Sequence, residues 1–448
     1  MYRTALTTSG RGRTRARMVR VLVLAMALAA VGVGALGAAR PLAAQTAIDG
    51  EYGLRVTDTN GVIGVGWLTE GSKVGVLRVL AGDSVLLDVS TPAAGSHYTT
   101  FPRPHTDVEL RYGAAGEDPL YSTTLFLEED RPRETGELSG IDSLFVVGDT
   151  HGEFDHLRQL LTNAGLIDAD THWTGGRRHV VFLGDLFDRG SDVTRTLWFL
   201  YRLEREARVA GGGAHVVLGN HETMIFTDDL RYVSAKEQLV ARLHGVSYQE
   251  MFDIRTTVLG RWLAGRPGLM EVDGVLMAHG GVVPELRPHS VAAVNDSLRS
   301  FLAEDLFYRW SDSTMALTSD STLAEAVRDQ YDQVIVMDSA AIARRQALVF
   351  DENSILWYRG YVQSDTLGAA LDRTLENFGA DMHVVGHTPV PSVAVRYGGR
   401  LVAVDLLDPV TEMLLLTRAP DGERRAWRFR LEGPPEPLDI TSGRLRAP

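Results

Sequence analysis

The chain has 448 residues, a formal net charge of −13, no Cys, 44% hydrophobic residues and 23% charged residues. That composition belongs to a folded globular protein with room for two or three domains, and not to a disordered chain. Zero Cys excludes thiolate metal sites and a thiol nucleophile, and the acidic balance argues against nucleic acid or an anionic membrane surface as a general partner.

The first 44 residues stand apart. They hold seven Arg (Arg3, Arg11, Arg13, Arg15, Arg17, Arg20, Arg40) and no acidic residue, and the 19 residues Val21–Ala39 are uncharged. A basic start, an apolar centre and small residues before Gln45 read as an export signal over 1–44, giving a periplasmic or secreted protein. The general secretory route is expected, because the adjacent arginine pair of a twin-arginine signal is missing. The competing reading is a retained membrane anchor, since about 20 apolar residues span a bilayer. Loss of the seven arginines would take the net charge from −13 to −20, so an anionic substrate would need local positive charge, which divalent cations supply.

Residues 48–140 read as an all-β module, a sandwich or small barrel of short strands: Gly53–Val56, Val62–Val65, Lys73–Leu77, Ser84–Val89, Asp107–Leu110 and Ser122–Leu127. Gly, Pro, Asn and Asp clusters separate them. His97 and His105 have no partner at ligand spacing and read as surface or loop histidines. Polar Glu128–Gly140 reads as a linker.

From Ile141 strands alternate with helices, the pattern of a sheet covered on both faces. Leu144–Val147 runs into Gly148-Asp149-Thr150-His151-Gly152. His179–Leu183 runs into Gly184-Asp185-Leu186-Phe187-Asp188-Arg189-Gly190, and His215–Leu218 into Gly219-Asn220-His221-Glu222. Helices are expected at Phe154–Leu161 and Ser191–Arg208. Residues 223–270 form a mostly helical insertion, either a lid or a satellite layer. Glu271–Met277 reads as one strand ending in Ala278-His279-Gly280-Gly281, and Ser311–Thr322 as a loop. Trp357-Tyr358-Arg359-Gly360 precedes a helix near Leu367–Phe378, and strand Met382–Val385 ends in Gly386-His387-Thr388-Pro389. Leu401–Leu406, Glu412–Thr417 and Ala426–Leu431 read as antiparallel strands. The main α/β domain is placed at 141–420 and a terminal strand and tail at 421–448.

Ligands of sheets built from buried parallel strands collect at the strands' carboxyl ends. Asp149, His151, Asp185, Asn220, His279 and His387 each sit at such an end, in or beside a Gly-bearing turn that lets the backbone bend sharply. Carboxylate and amide oxygens with imidazoles suit Mn, Fe or Zn. Two such ions about 3.5–4 Å apart can activate water and clamp the oxygens of an in-line phosphoryl displacement. Arg189 offers a bidentate phosphate contact. His221, oriented by Asp188, can protonate the leaving oxygen. His383, within its strand, reads as a core residue.

The motifs GDTHG, GDLFDRG, GNHE, AHGG and GHTP resemble those of the calcineurin-like metallophosphoesterases over about residues 142–410. Within that family they are most similar to the bacterial Shewanella-like branch of the phosphoprotein phosphatases; Gly260-Arg261-Trp262-Leu263, Val294-Asn295 and the Trp357–Gly360 block add to the likeness. The resemblance implies an α/β fold, a metallophosphoesterase-type sandwich of two mixed sheets flanked by helices, behind the N-terminal all-β module. It implies two divalent metal ions: one held by Asp149, His151 and a bridging Asp185, the other by Asp185, Asn220, His279 and His387. Arg189, Arg359 and Asn220 would bind the substrate phosphate, His221 and Asp188 would form the acid pair, and Glu222 would support them. Arg359 is preferred to Arg309 because Gly360 permits close approach.

Three departures stand out. Leu218 replaces the Arg that eukaryotic Ser/Thr phosphatases carry before GNHE, their C-terminal Tyr motif is absent, and GHTP lacks the second His of many phosphodiesterase relatives. The expected function is therefore an exported phosphomonoesterase, with phosphoprotein the favoured substrate. The alternatives are a hydrolase of small phosphoesters or nucleotides, like the dinucleotide tetraphosphatases, and a catalytically idle exported binding protein.

Overall fold

The computed structural model describes residues 53–127, 134–286, 288–305, 339–407, 409–419 and 422–440. The expected export signal at 1–44, Arg309, the Ser311–Thr322 patch, the first half of the expected linker and the end of the tail lie outside the described residues. Among the described residues no helix is long and apolar enough to cross a membrane.

The N-terminal module is one antiparallel sheet of β1 (Arg55–Thr59), β2 (Val62–Ala81), β3 (Ser84–Pro102), β4 (Val108–Ala114) and β5 (Tyr121–Leu125). β3 runs along one side of β2, while β1 and then β4 occupy the other, and β5 pairs with β4. The expectation of a sandwich or small barrel of short strands is corrected to a single sheet built on two long strands. Val62–Val65 and Lys73–Leu77, expected as separate strands, belong to one β2, and the polar Thr69–Ser72 stretch between them is an irregularity: the register shifts between Leu68 and Lys73, and Gly71 supplies a φ of +70°. Such a bulge bends a strand without ending its pairing. His97 is corrected as well. It is 3% exposed, stacks on Trp67 with centroids 5.2 Å apart, and bonds to Thr69 and Thr91 at 3.1 and 2.7 Å. Its hydroxyl partners lie on β2 and earlier on β3 itself, so sequence spacing did not reveal them. His105 is an exposed loop residue.

The expected linker is partly structural. Glu137–Leu138 (β6) joins a sheet in parallel with a later strand. Glu134 accepts from the His215 ring at 2.5 Å and from Arg266 at 3.1 Å. A buried carboxylate needs such partners, and they lie more than 80 residues away.

Beyond the module lie two six-stranded mixed sheets. β7 (Ser143–Val147), β8 (His179–Phe182) and β9 (Gly213–Val216) run parallel. β10 (Leu269–Val272) and β11 (Val275–Ala278) form a hairpin, where one strand was expected. The reason is Asp273-Gly274, both at positive φ (49° and 87°), the pairing demanded by a tight two-residue turn. β12 (Met382–Val385), β13 (Ala394–Arg396) and β14 (Leu401–Ala403) complete the second sheet, ordered β13-β14-β12-β11-β10-β6. β14 lies parallel to β12, and not antiparallel as expected. β15 (Glu412–Arg418), β16 (Arg424–Arg430) and β17 (Glu436–Leu438) extend the first sheet, ordered β17-β16-β15-β7-β8-β9. Between the sheets Val146, Val181, Val217, Met277, Val384 and Val402 pack in a closed layer, each such side chain worth about 1.5–3 kcal/mol when buried.

Helices α1 (Phe154–Asn163) and α2 (Val193–Val209) cover the outer face of the first sheet. The insertion supplies α3 (Asn220–Phe226), α4 (Ala235–Leu243), α5 (Tyr248–Met251) and α6 (Val258–Ala264). Ser234, Ser247 and Thr257 cap α4, α5 and α6 through their hydroxyls. α7 (Val291–Ser300), α8 (Ser339–Phe350), α9 (Gly360–Gln363) and α10 (Gly368–Phe378) follow. α10 packs Leu371 and Leu375 against Tyr361 and Val385 on the second sheet. The β module shares one apolar core with the helical layer.

Glu237 on α4 is buried and turned into the first turn of α2, where it accepts from Thr194 N at 3.0 Å and Thr194 Oγ1 at 2.7 Å. Burial lifts its carboxyl from 4.5 to about 7. A raised folded-state value means that this group's contribution is complete below pH 4.5 and is lost as pH rises through 7. A Glu237→Gln variant, which keeps the acceptor without the ionisation, is expected to lose less stability between pH 4.5 and 7. The difference from wild type should be up to about 3 kcal/mol, read by urea unfolding at a series of pH values.

Candidate metal centre at the strand ends

Five loops leave the same edge of the two sheets: those after β7, β8 and β9 from the first, and those after β11 and β12 from the second. β9 ends two residues earlier than expected, so Val217 and Leu218 lead into Gly219. In the loops, His151, Asp185, Asp188, Arg189 and His387 all adopt left-handed backbone, with φ between 43° and 70°. Non-Gly residues pay of order 1–3 kcal/mol for such strain, which persists only where the surroundings hold it. Two glycines are required for close approach. A Cβ on Gly219 would lie 2.3 Å from Asp185 Oδ1, and one on Gly386 would lie 2.7 Å from Asp149 Oδ1.

The six expected ligands are all buried and converge. Asp185 lies at the middle. Its Oδ2 is 3.9 Å from His151 Nε2, and its Oδ1 is 3.2 Å from His279 Nε2. Asp149 reaches both sides, 3.9 Å from His151 Nε2 and 3.8 Å from His279 Nδ1. His279 Nε2 also lies 2.9 Å from Asn220 Oδ1 and 3.1 Å from His387 Nδ1. Two groups of possible ligands share Asp185: His151, Asp185 and His221 in one, Asp185, His279 and His387 in the other.

The second partners of the imidazoles sort these residues. His151 Nδ1 bonds to Phe187 O at 2.8 Å and His279 Nδ1 to Leu183 O at 2.7 Å, so each turns its Nε2 to the centre. His151 Nε2 is buried without a hydrogen-bond partner. His221 differs: its Nδ1 meets the carboxylate Asp188 Oδ2 at 2.5 Å. Burial opposes its charging, but Asp185 and Asp188 outweigh that and raise its pKa. Burial and the Asp405 carboxylate push Asp149 well above the usual carboxylate range. Burial likewise disfavours the His279 cation, yet Asp185 and Asp149 raise it to about 10. A nitrogen and oxygen donor set with an unpartnered inward nitrogen fits divalent cations of the Mn, Fe or Zn kind.

Glu222 ties the loops together. Its carboxylate accepts from Gly219 N at 2.6 Å, Leu186 N at 2.8 Å and Asp185 N at 3.0 Å. Asp185 Oδ1 in turn accepts from His221 N at 3.0 Å. Arg359 is half-buried and donates to the His387 carbonyl. Arg189 is exposed on the rim, its N–H bonded to Tyr232 O at 2.9 Å. His383 is a core residue, as expected, bonded to Leu276 O and Val282 N.

Two neighbours were missed. Asp405 is 3% exposed and acts electrostatically on Asp149 and Arg359. It ends the apolar run Leu401-Val402-Ala403-Val404, the same signal without a glycine. Tyr232, 49% exposed, holds its ring 5.6 Å from that of His221, and no sequence motif marks it.

A family model described as calcineurin-like phosphoesterase matches residues 143–391. Shewanella-like protein phosphatase 2 of Arabidopsis thaliana is 44% identical over 95 residues, 21% of this chain and 24% of the relative. The symmetrical bis(5'-nucleosyl)-tetraphosphatase of Vibrio cholerae is 34% identical over 144 residues, 32% of this chain and 45% of the relative. The matches therefore span a quarter to under a half of these two relatives' own lengths. A crystal structure of a cold-active protein-tyrosine phosphatase from a psychrophilic Shewanella species superposes with a TM-score of 0.63 at 25% identity. It covers 86% of this chain and 98% of that one.

Glu222→Ala would strand three buried amide donors, each costing about 1–3 kcal/mol. The expected loss is at least about 3 kcal/mol in urea unfolding, with Glu222→Gln between it and wild type.

Proposed function

The chain belongs to the calcineurin-like phosphoesterases, and from that premise we propose that it is a dinuclear-metal phosphomonoesterase acting on phosphoproteins. One observation carries the reading. Asp185 is shared by two ligand groups, and His221, held by Asp188 through Nδ1, places its Nε2 3.6 Å from the Asp185 carboxylate. Loaded with two divalent cations, Asp149, His151, Asp185, Asn220, His279 and His387 would supply the charge neutralisation and water activation that phosphoester hydrolysis needs.

The chain's own residues do the rest. Arg189 at the rim and Arg359 beside His387 take the non-bridging phosphate oxygens and set the phosphorus in line. His221 gives its Nε2 proton to the departing alkoxide or phenoxide. Asp188 holds the ring through Nδ1 and stabilises its charged form until transfer. Arg189 and Tyr232 are both exposed at this edge, which suits a substrate as bulky as a protein side chain on its backbone. The likeness over nearly the whole of a solved protein-tyrosine phosphatase supports the same choice. The rival, a nucleotide phosphohydrolase, rests on the likeness to the Vibrio tetraphosphatase. Export to the periplasm or medium is part of the proposal and rests on the arginine-rich, uncharged-centred stretch at 1–44.

Elemental analysis of protein purified without chelator is expected to find about two divalent ions per chain. EDTA should abolish turnover and Mn²⁺ should restore it. On a panel of phosphoserine, phosphothreonine and phosphotyrosine peptides against dinucleotide polyphosphates, the peptides should be the better substrates. A preference for the dinucleotides sinks the substrate assignment. His221→Ala should lower kcat by about 10²–10⁴-fold, and an unchanged kcat removes His221 from the acid role.

A further inference from the structure

Helix α2 starts immediately after the Asp188-Arg189-Gly190 loop, yet its own N-cap residue, Asp192, makes no side-chain capping bond. The Asp192 carboxylate is instead paired with Lys236 Nζ at 2.9 Å, both side chains largely buried (18% and 9% exposed, respectively). Glu237, 1% exposed, provides the missing acceptor from another helix, taking both the N–H and the hydroxyl of Thr194. Four residues before Lys236, Tyr232 O accepts from Arg189 N. A short stretch of the insertion, Tyr232–Glu237, therefore grips the loop's exit at three successive points: Arg189, Asp192 and Thr194. The loop it grips carries consecutive left-handed residues, Asp188 at φ 70° and Arg189 at φ 59°, a conformation that the surroundings must impose.

We propose that Lys236 and Glu237 are positioning residues for the phosphate-binding and acid-supporting loop, holding Arg189 and Asp188 in their active arrangement from a helix that contributes nothing to the metal centre. A self-capped helix would tie the loop only to itself. Here the cap is exchanged between helices: Asp192 is occupied by Lys236 and Thr194 by Glu237, so a movement of α4 is transmitted to Arg189. Lys236 is one of only two lysines among 45 basic residues. A flexible ammonium stem reaches a lone carboxylate oxygen where the broader guanidinium prefers a bidentate face.

The inference rests on the proposed phosphatase reading for its kinetic consequence, so the test includes two measurements that need no turnover. Mn²⁺-loaded full-length protein is compared as wild type, Glu237→Ala, Glu237→Gln and Lys236→Met. The readouts are calorimetric affinity for inorganic phosphate, amide hydrogen exchange at Arg189 and Gly190, and kinetics on p-nitrophenyl phosphate. Glu237→Ala and Lys236→Met should weaken phosphate binding about 10- to 100-fold and speed exchange at Arg189. Glu237→Gln, which still accepts from Thr194, should stay within about twofold of wild type on both. Where Glu237→Ala does not fold, Lys236→Met decides. Folded variants that keep wild-type phosphate affinity and wild-type exchange at Arg189 overturn the inference. A wild type that binds phosphate but turns over no phosphoester overturns the phosphatase reading instead, and leaves the grip to be judged on binding and exchange.

Discussion

The carboxylate of Glu222 takes amide hydrogens from Gly219, Asp185 and Leu186, and through them joins the loops that end β8 and β9. No side chain in those loops could reach the centre unless their backbones lay this close. That closeness in turn requires Gly219, whose Cβ would collide with the Asp185 carboxylate. Asp185 depends on the same stitch for its position between His151 and His279. The order of dependence therefore runs from a glycine that admits a carboxylate, to a glutamate that pins two turns, to an aspartate that faces both ligand groups. Local strain follows, with His151, Asp185 and His387 all held at positive φ, and the hydrogen bonds of the loop network offset it.

Electrostatics then divides labour among residues of one type. Four histidines line the pocket, and their second partners separate them: His151 and His279 turn one nitrogen to a backbone carbonyl, His387 turns Nδ1 towards His279, and His221 turns Nδ1 to Asp188. Burial and the nearby His279 charge lower His387 to about 2, so it stays neutral and available as a ligand. A carboxylate partner has the opposite effect on His221. Chemical role here follows from the atom opposite the outer ring nitrogen, a distinction of a few ångströms made by the loop backbone.

The sites were legible where chemistry and geometry share one local signal. Each of Asp149, Asp185, Asn220, His279 and His387 follows an apolar run within a glycine-bearing turn, and the structure brings all of them within one pocket. What escaped notice depended on partners distant in sequence or on a turn that resembled its neighbours. His97 looked unpartnered because Thr69 sits on another strand, and Glu128–Gly140 read as a linker because the Glu134 partner Arg266 lies 132 residues on. Thr69–Ser72 has the composition of a turn but acts as a bulge, since β3 continues to pair across it. Asp273-Gly274 carried a clear hairpin signal that was lost inside a run of apolar residues. Asp405 lacked only the glycine.

The β module gains a physical role from where it is seated. Trp198 on α2 donates to Leu54 O at 3.0 Å, His244 at the end of α4 bonds to Gly53 O at 2.8 Å, and Asp58 N donates to Thr256 O at 2.8 Å just before α6. Arg261 on α6 and Arg103 on the module converge on the Asp58 carboxylate at 3.2 and 3.1 Å. The module thus holds the insertion at His244, Thr256 and Arg261, and also the helix that the insertion grips. α2 and α4 are fixed to each other at one end by Glu237 and Thr194, and to the module through Trp198 and His244. Two helices tied at separated points cannot slide independently, so the stiffness of the Asp188–Arg189 loop is set in part by a sheet that never touches the metal centre.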